Sequence, residues 1–303
     1  MSFVPQAVVV SDGNTLPIGA ASLRRDGKRA DPAGGYRLTF PSMQAFYAEA
    51  SRVRAALKDT SYDRADDWSG GVSFLDLADL VEHGWQDMVA RSLEVSDRAI
   101  KAAATTVEDS LPALHYDVTG DVVDIGRYYS GEPECMIDWP LQPVLKDGLA
   151  VTLISSACFS AAIATGTIVR RGIAIAALAE ALTGLGYAVE VVVDISAGPE
   201  DGVRQFGSSL QVTAKEVHED LNMPRVIYGL AHPSVLRKLA FLVWDGSARR
   251  DEVQNSGFGP VNRPAADRSD AIVIEGLDVR QYNWDDPEAF IREHFVRLGL
   301  IEG

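Results

Sequence analysis

AVTLISS at Ala150–Ser156, RRGIAIAALAEALTGLGY at Arg170–Tyr187 and AVEVVVDIS at Ala188–Ser196 decide the fold. The first is a short apolar run bounded by small residues, the pattern of a strand buried on both faces. The second places Ile173, Ala177, Leu178 and Leu182 on one helical face and closes with Gly184 and Gly186, a helix C-terminal signal. The third is a β-branched run. Strand, helix and strand at this spacing predict a right-handed crossover between parallel neighbours. The small-residue connection from Ser155 to Thr167 then falls at the carboxyl ends of the strands, where open α/β sheets bind their ligands.

The same rhythm continues towards the C-terminus. Ser209 to Thr213 reads as an edge strand, and Val226 to Leu230 is a further apolar run. After His232-Pro233-Ser234, the segment VLRKLAFLVWDG fits a helix begun by Pro233 or a strand ending at Asp245-Gly246, and periodicity does not choose. Residues 249–268 are polar, with Gly and Pro, and read as a loop. AIVIEGL (Ala271–Leu277) reads as a strand. Asp285-Asp286-Pro287 caps a last helix, with Phe290, Ile291, His294, Phe295 and Leu298 on its buried face.

Three regions follow. Residues 1–41, punctuated by Asp-Gly and Pro, read as an extended arm with two short strands. Residues 42–148 read as a helical region with a β-hairpin. Ser42 to Leu57 has apolar residues at helical spacing, and Ser73 with Asp76 forms a capping box ahead of a second amphipathic helix. Gly84 within that helix costs up to about 1 kcal/mol relative to Ala, unless it admits another backbone at close range. A further helix is predicted from Ser96 to Thr106, and a hairpin from Leu114 to Ile125 around Thr119-Gly120-Asp121. Residues 149–303 form the α/β domain.

Composition narrows the function. The 303 residues are 47% hydrophobic and 23% charged, close to an average globular chain, with room for two domains. A net charge of −15 argues against nucleic acid or an anionic membrane as the main partner, because phosphate surfaces are met by Lys and Arg. Cys135 and Cys158 are the only cysteines and lie in no paired motif, so a reduced cytoplasmic setting is expected. No charged segment precedes an apolar core at the N-terminus, and Arg170 and Arg171 interrupt the most hydrophobic region. A soluble protein with no membrane span is therefore expected.

No phosphate loop, dinucleotide fingerprint or nucleophile elbow is present. His83, beside a Gly-Trp pair, has no neighbours at metal-ligand spacing. Glu132 and Glu134 read as solvated carboxylates, and Cys135 lacks a cationic partner that would activate it. Ser156 or Ser160 becomes a nucleophile only if the fold brings His218 or His232 beside it.

Residues from about Ala150 to Ile301 resemble a von Willebrand factor A-type domain. In that family the first strand ends in Asp-x-Ser-x-Ser, whose oxygens hold a divalent cation, and a further Asp follows a later strand. The corresponding turn here is Ser156-x-Cys158-x-Ser160, without the acid and with one hydroxyl replaced. Asp245 corresponds to the later Asp if its segment is a strand. The resemblance thus implies Ser156, Cys158, Ser160 and Asp245 as binding residues. Losing the first carboxylate implies no metal cofactor, with Mg²⁺ as the cation of the alternative reading. VVDIGRYYSGEPECMIDW (Val122–Trp139) is similar to uncharacterised bacteriophage and prophage proteins.

The expected fold is α/β, a doubly wound, mostly parallel sheet with a mainly helical N-terminal region. The expected function is non-enzymatic. It is protein interaction or assembly, virion structure included, through a metal-free docking surface, with a protein partner or a second copy, in the host cytoplasm or the virion. The alternatives are a metal-dependent adhesion module using Asp245 and the serine turn, and a hydrolase or transferase with its site at residues 155–167.

Overall fold

Valine and isoleucine alternate with polar residues along AVEVVVDIS, and that alternation builds the centre of the sheet. Val189, Val191, Val193 and Ile195 are fully buried on one face, while Glu190, Val192, Asp194 and Ser196 take the other. Each such aliphatic side chain stabilises the fold by about 1.5–3 kcal/mol relative to exposure.

The computed structural model describes residues 6–11, 14–18, 35–57, 60–108, 115–119, 122–123, 125–138, 150–197, 208–247, 264, 271–277, 284 and 286–301. The strands are β1 (Gln6–Ser11), β2 (Asn14–Ile18), β3 (Gly35–Phe40), β4 (His115–Asp117), β5 (Val122–Val123), β6 (Met136–Asp138), β7 (Ala150–Ser156), β8 (Ala188–Ala197), β9 (Ser208–Lys215) and β10 (Ile272–Ile274). The helices are α1 (Met43–Leu57), α2 (Leu77–His83), α3 (Val89–Glu108), α4 (Ile125–Tyr129), α5 (Thr165–Gly184), α6 (Met223–Ala231), α7 (Phe241–Asp245) and α8 (Pro287–Arg297).

Five strands form a mixed, mostly parallel sheet in the order β10-β7-β8-β9-β3. β7 runs parallel to β8 and β10, β9 runs antiparallel to β8, and β3 runs parallel to β9. The β1–β2 hairpin extends the sheet antiparallel to β3. From β7 the chain adds β8 on one side and, later, β10 on the other, so the sheet's switch point lies between β7 and β10. β7, α5 and β8 follow one another as predicted, with β7 and β8 adjacent and parallel, and α5 begins at Thr165, five residues before Arg170.

α1, α5 and α6 meet over the apolar face. Gly229 of α6 lies against Val193, Ala214 and Met43, and Gly172 of α5 faces Ala231 so closely that a Cβ would stand 2.3 Å from its Cα. One apolar core joins Leu38, Phe46, Phe74 and Leu77 to Leu153, Trp244 and Phe295. The N-terminal region therefore shares its core with the α/β region. Residues 35–40, expected within the arm, form a strand of the main sheet.

Several local expectations are refined. Ser209–Thr213 is a strand but lies inside the sheet, because β3 arrives from far away in sequence to cover its edge. Ser73 and Asp76 make the capping-box hydrogen bonds, at 2.9 Å and 3.4 Å. Their helix stops at Gly84 (φ +76°), where Trp85 N–H donates to Pro224 O at 2.9 Å and a Cβ would meet the Pro224–Arg225 backbone. Close approach of a second backbone is thus the reason for Gly84. Ser96 lies inside α3 and is buried there. β4 and β5 do not pair with each other as a hairpin, since β6 enters between them. Residues 235–245 are helical, a π-helix (Val235–Ala240) leading into α7. The loop expected at 249–268 lies outside the described residues, apart from Pro264, and Trp139 and Asp285 lie outside them too.

Candidate functional site

The chain turns sharply after β7, and small residues allow it to do so. Ser156 Oγ accepts the Cys158 N–H at 3.1 Å, a local serine turn that redirects the backbone. Ala157 N–H donates to Asp194 O of β8 at 2.8 Å. Cys158 and Ser160 then pair with Leu277 beyond β10. Leu277 N–H donates to Cys158 O and Ser160 N–H donates to Leu277 O, each at 3.1 Å. Backbone pairing between the neighbours of the switch point therefore continues past the strand ends, where a ligand crevice would otherwise open.

Arg171 fills what remains. It projects from α5, is fully buried, and donates through Nη2 to Glu275 O at 2.7 Å, Ile274 O at 3.4 Å and Ser155 Oγ at 3.4 Å. Its guanidinium lies over the rings of Phe159 and Trp284, at 5.7 Å and 5.6 Å. Burial pulls its pKa down to about 9. Nε and Nη1 have no hydrogen-bond partner among the described residues.

Asp194, one strand over, is also fully buried. Its carboxylate accepts from Ser196 Oγ at 2.5 Å, Gln211 Nε2 at 2.9 Å and Ser209 Oγ at 3.0 Å. Burial raises its pKa, against the hydrogen bonds that favour the charged form. The cross-strand register makes this cluster possible, because Asp194 pairs with Gln211 and Ser196 with Ser209. Arg37 of β3, opposite Ser209, adds a positive field.

Cys158 sits within this polar end of the sheet. Its thiol donates to Ser196 O at 3.0 Å. Burial first, and the Asp194 charge second, push its pKa up to about 12. A thiol so placed stays protonated at neutral pH and is a poor nucleophile and metal ligand. The outer side of the turn is also held. Thr165 Oγ1 donates to Asp67 O at 2.9 Å, and Arg237 donates to Trp68 O and Ile163 O at 2.5 Å and 3.1 Å.

Ser156 and Cys158 are thus brought together with Asp194, and Ser160 is bound through its backbone. Asp245 is not part of this group. It ends α7, where its carboxylate accepts from Tyr62 OH at 2.7 Å, and the neighbouring Gly246 packs on Val53 of α1. The strand on which its correspondence depended is a helix. The residues present do not fit a hard divalent cation. Asp194, the one buried carboxylate among the described residues at the crevice, already accepts three hydrogen bonds, and a guanidinium occupies the space beside the turn. Among the described residues no group of three or more His, Cys, Asp and Glu side chains is placed to hold a metal.

The histidines do not complete a nucleophile at the turn. His218 is exposed after β9. His232 Nδ1 hydrogen-bonds Ser234 Oγ at 2.8 Å, and Tyr228 OH lies 3.4 Å from the same oxygen. This serine–histidine pair is buried, with Trp85 edge-on at 4.7 Å and Gly70 so close that a Cβ there would stand 2.6 Å from the imidazole. Burial pulls the His232 pKa down to about 4. Sealed from solvent, the pair orders the turn between α6 and the π-helix.

Sequence reasoning passed over Arg171 and Asp194. The signal for Asp194 is a lone acid inside the β-branched run VVVDIS. Arg171 had none, since an arginine early in a helix reads as a solvated residue.

A family model described as a domain of unknown function, DUF7192, matches residues 25–302. Comparison with curated proteins and with solved structures finds no match to this chain.

Proposed function

This chain belongs to the DUF7192 family, and we propose that it is a non-enzymatic interaction or assembly protein whose α/β sheet serves as a metal-free scaffold. The observation that carries this reading is the closed crevice at the end of β7. Ligands of open α/β sheets enter at the switch point. Here that point is occupied by Arg171 and stitched by the pairing of Cys158 and Ser160 with Leu277. A sheet that fills its own ligand crevice retains its outer surfaces for partners. The A-type resemblance supports the same reading, with the serine turn as a structural relic of a cation loop. The likeness of Val122–Trp139 to phage and prophage proteins supports a finer form, a part in virion assembly, and rests on sequence alone.

The test is the hydrodynamic state of the purified chain, alone and mixed with products of neighbouring genes. Concentration-dependent self-association, or a stable complex with one such product, is the expected outcome. Hydrolysis of ester, amide or phosphoester substrates that is lost in Ser156→Ala or Ser160→Ala overturns it.

A further inference from the structure

A second opening, between α3, α5 and the start of α8, has the opposite character. It has a volume of about 190 Å³ and is lined by Arg91, Arg98, Arg170 and Trp284, with Pro287 at its edge. Glu94 is the one acid among its described lining residues. Arg91 and Arg98 stand seven residues apart, two turns along one face of α3. Arg170 joins them from the first turns of α5, where its Nη2 donates to Thr167 Oγ1 at 3.3 Å. Arg98 is tied to Glu288 at 2.7 Å, and Arg91 is exposed with no ion pair among the described residues. Pro287 opens α8, whose N-terminal end is already met by the Asp286 cap, accepting from Ala289 N–H at 2.9 Å, and by Glu288 in its first turn. Behind Trp284 lies the buried Arg171, with two nitrogens that find no partner among the described residues.

Three guanidiniums around one small cavity are unexpected in a chain with 43 acids and 28 basic residues. Glu288 answers Arg98, while the planar guanidinium fork of all three matches the geometry of phosphate oxygens. The volume is below the ~300–1,000 Å³ of pockets for drug-sized ligands, so the ligand is small. We propose that this cleft binds a small dianionic oxyanion of the phosphate class, held by Arg91, Arg98 and Arg170 against Trp284. The site shares Trp284 with the closed crevice, and it does not depend on the docking role.

The test titrates the full chain with inorganic phosphate and, separately, with O-phosphoserine. Ionic strength is held constant with chloride, and tryptophan fluorescence and melting temperature are followed. Saturable binding is expected. Arg91→Glu should weaken it about tenfold or more, the scale of one charge-assisted hydrogen bond. Arg91 is exposed, so that variant should melt like the parent when phosphate is absent. Trp284→Phe should reduce the fluorescence change while the thermal shift persists. Tighter binding of O-phosphoserine assigns the source to a phosphate monoester and tighter binding of phosphate to the free ion, and either upholds the site. A response no larger than that to chloride, or one unchanged in Arg91→Glu, overturns it.

Discussion

Arg170 and Arg171 are consecutive, and the fold uses them in opposite ways. About 100° of helical rotation separates them. Arg171 enters the strand-end crevice and is fully buried over Phe159 and Trp284, bonded to backbone carbonyls. Arg170 lines the open cleft with two arginines of α3. A charged side chain at the expected ligand position of an α/β sheet is therefore not in itself evidence of a ligand. The deciding feature is whether the chain's own acceptors close around it. Arg237 and Lys238 teach the same lesson elsewhere. Both are buried on the π-helix, and they donate to the carbonyls of Trp68 and Ile163, and of Tyr62 and Arg64.

The contrast depends first on the seating of α5. Gly172 lets α5 approach α6 within the space of a Cβ, so Gly172→Val should destabilise the protein by about 3 kcal/mol or more, at the upper end of overpacking effects. It should displace both arginines together. Chemical denaturation measures this, and a loss below about 1 kcal/mol would show that α5 is not held there.

Arg171 itself separates filling from charge. Arg171→Ala leaves a cavity and strands three acceptors, and should cost about 2–4 kcal/mol. Arg171→Met keeps most of the volume and removes a buried charge that has no ion pair among the described residues, so it should cost less than Arg171→Ala by about 1 kcal/mol or more. Equal losses in the two variants would mean that the hydrogen bonds, not the filling, matter most.

The sealed serine–histidine pair gives a pH test of closure. The folded-state pKa of His232 is depressed to about 4, so the unfolded chain binds its proton first as pH falls. The stability that neutral His232 contributes is complete above about pH 6.5, and it is lost progressively as pH falls towards 4. His232→Gln should flatten this part of the stability profile. An unchanged slope would place the histidine in contact with solvent. The smallest effect belongs to the open cleft, where Arg91→Ala should change stability by no more than about 0.5 kcal/mol while reducing phosphate binding.

Legibility followed the range of the interactions. β7, α5, β8 and α8 were readable because strand runs, helical faces and the Asp286 cap are local patterns. The place of β3 was not, since Tyr36–Phe40 pairs with residues more than 160 positions away. Residues 235–245 were ambiguous for a different reason. They are apolar nearly all round, and two cations point inwards among them, so neither period stands out. At the site, Ser156 and Cys158 were recognisable as a turn after a strand. Arg171 and Asp194 were hidden because the surroundings that bury them come from other segments. Asp245 was linked to the turn only through an assumed strand.

The central claim is that the crevice beyond β7 is closed by the chain itself. Thermal melting of metal-stripped protein, with and without excess Mg²⁺ or Mn²⁺, tests it most directly when repeated on Asp245→Ala and Ser156→Ala. A ligand at 100 times its dissociation constant stabilises the native state by about 2.7 kcal/mol, which shifts the melting temperature clearly. A closed crevice predicts no shift with either ion. A shift that disappears in Asp245→Ala or Ser156→Ala would contradict the account and restore the cation loop.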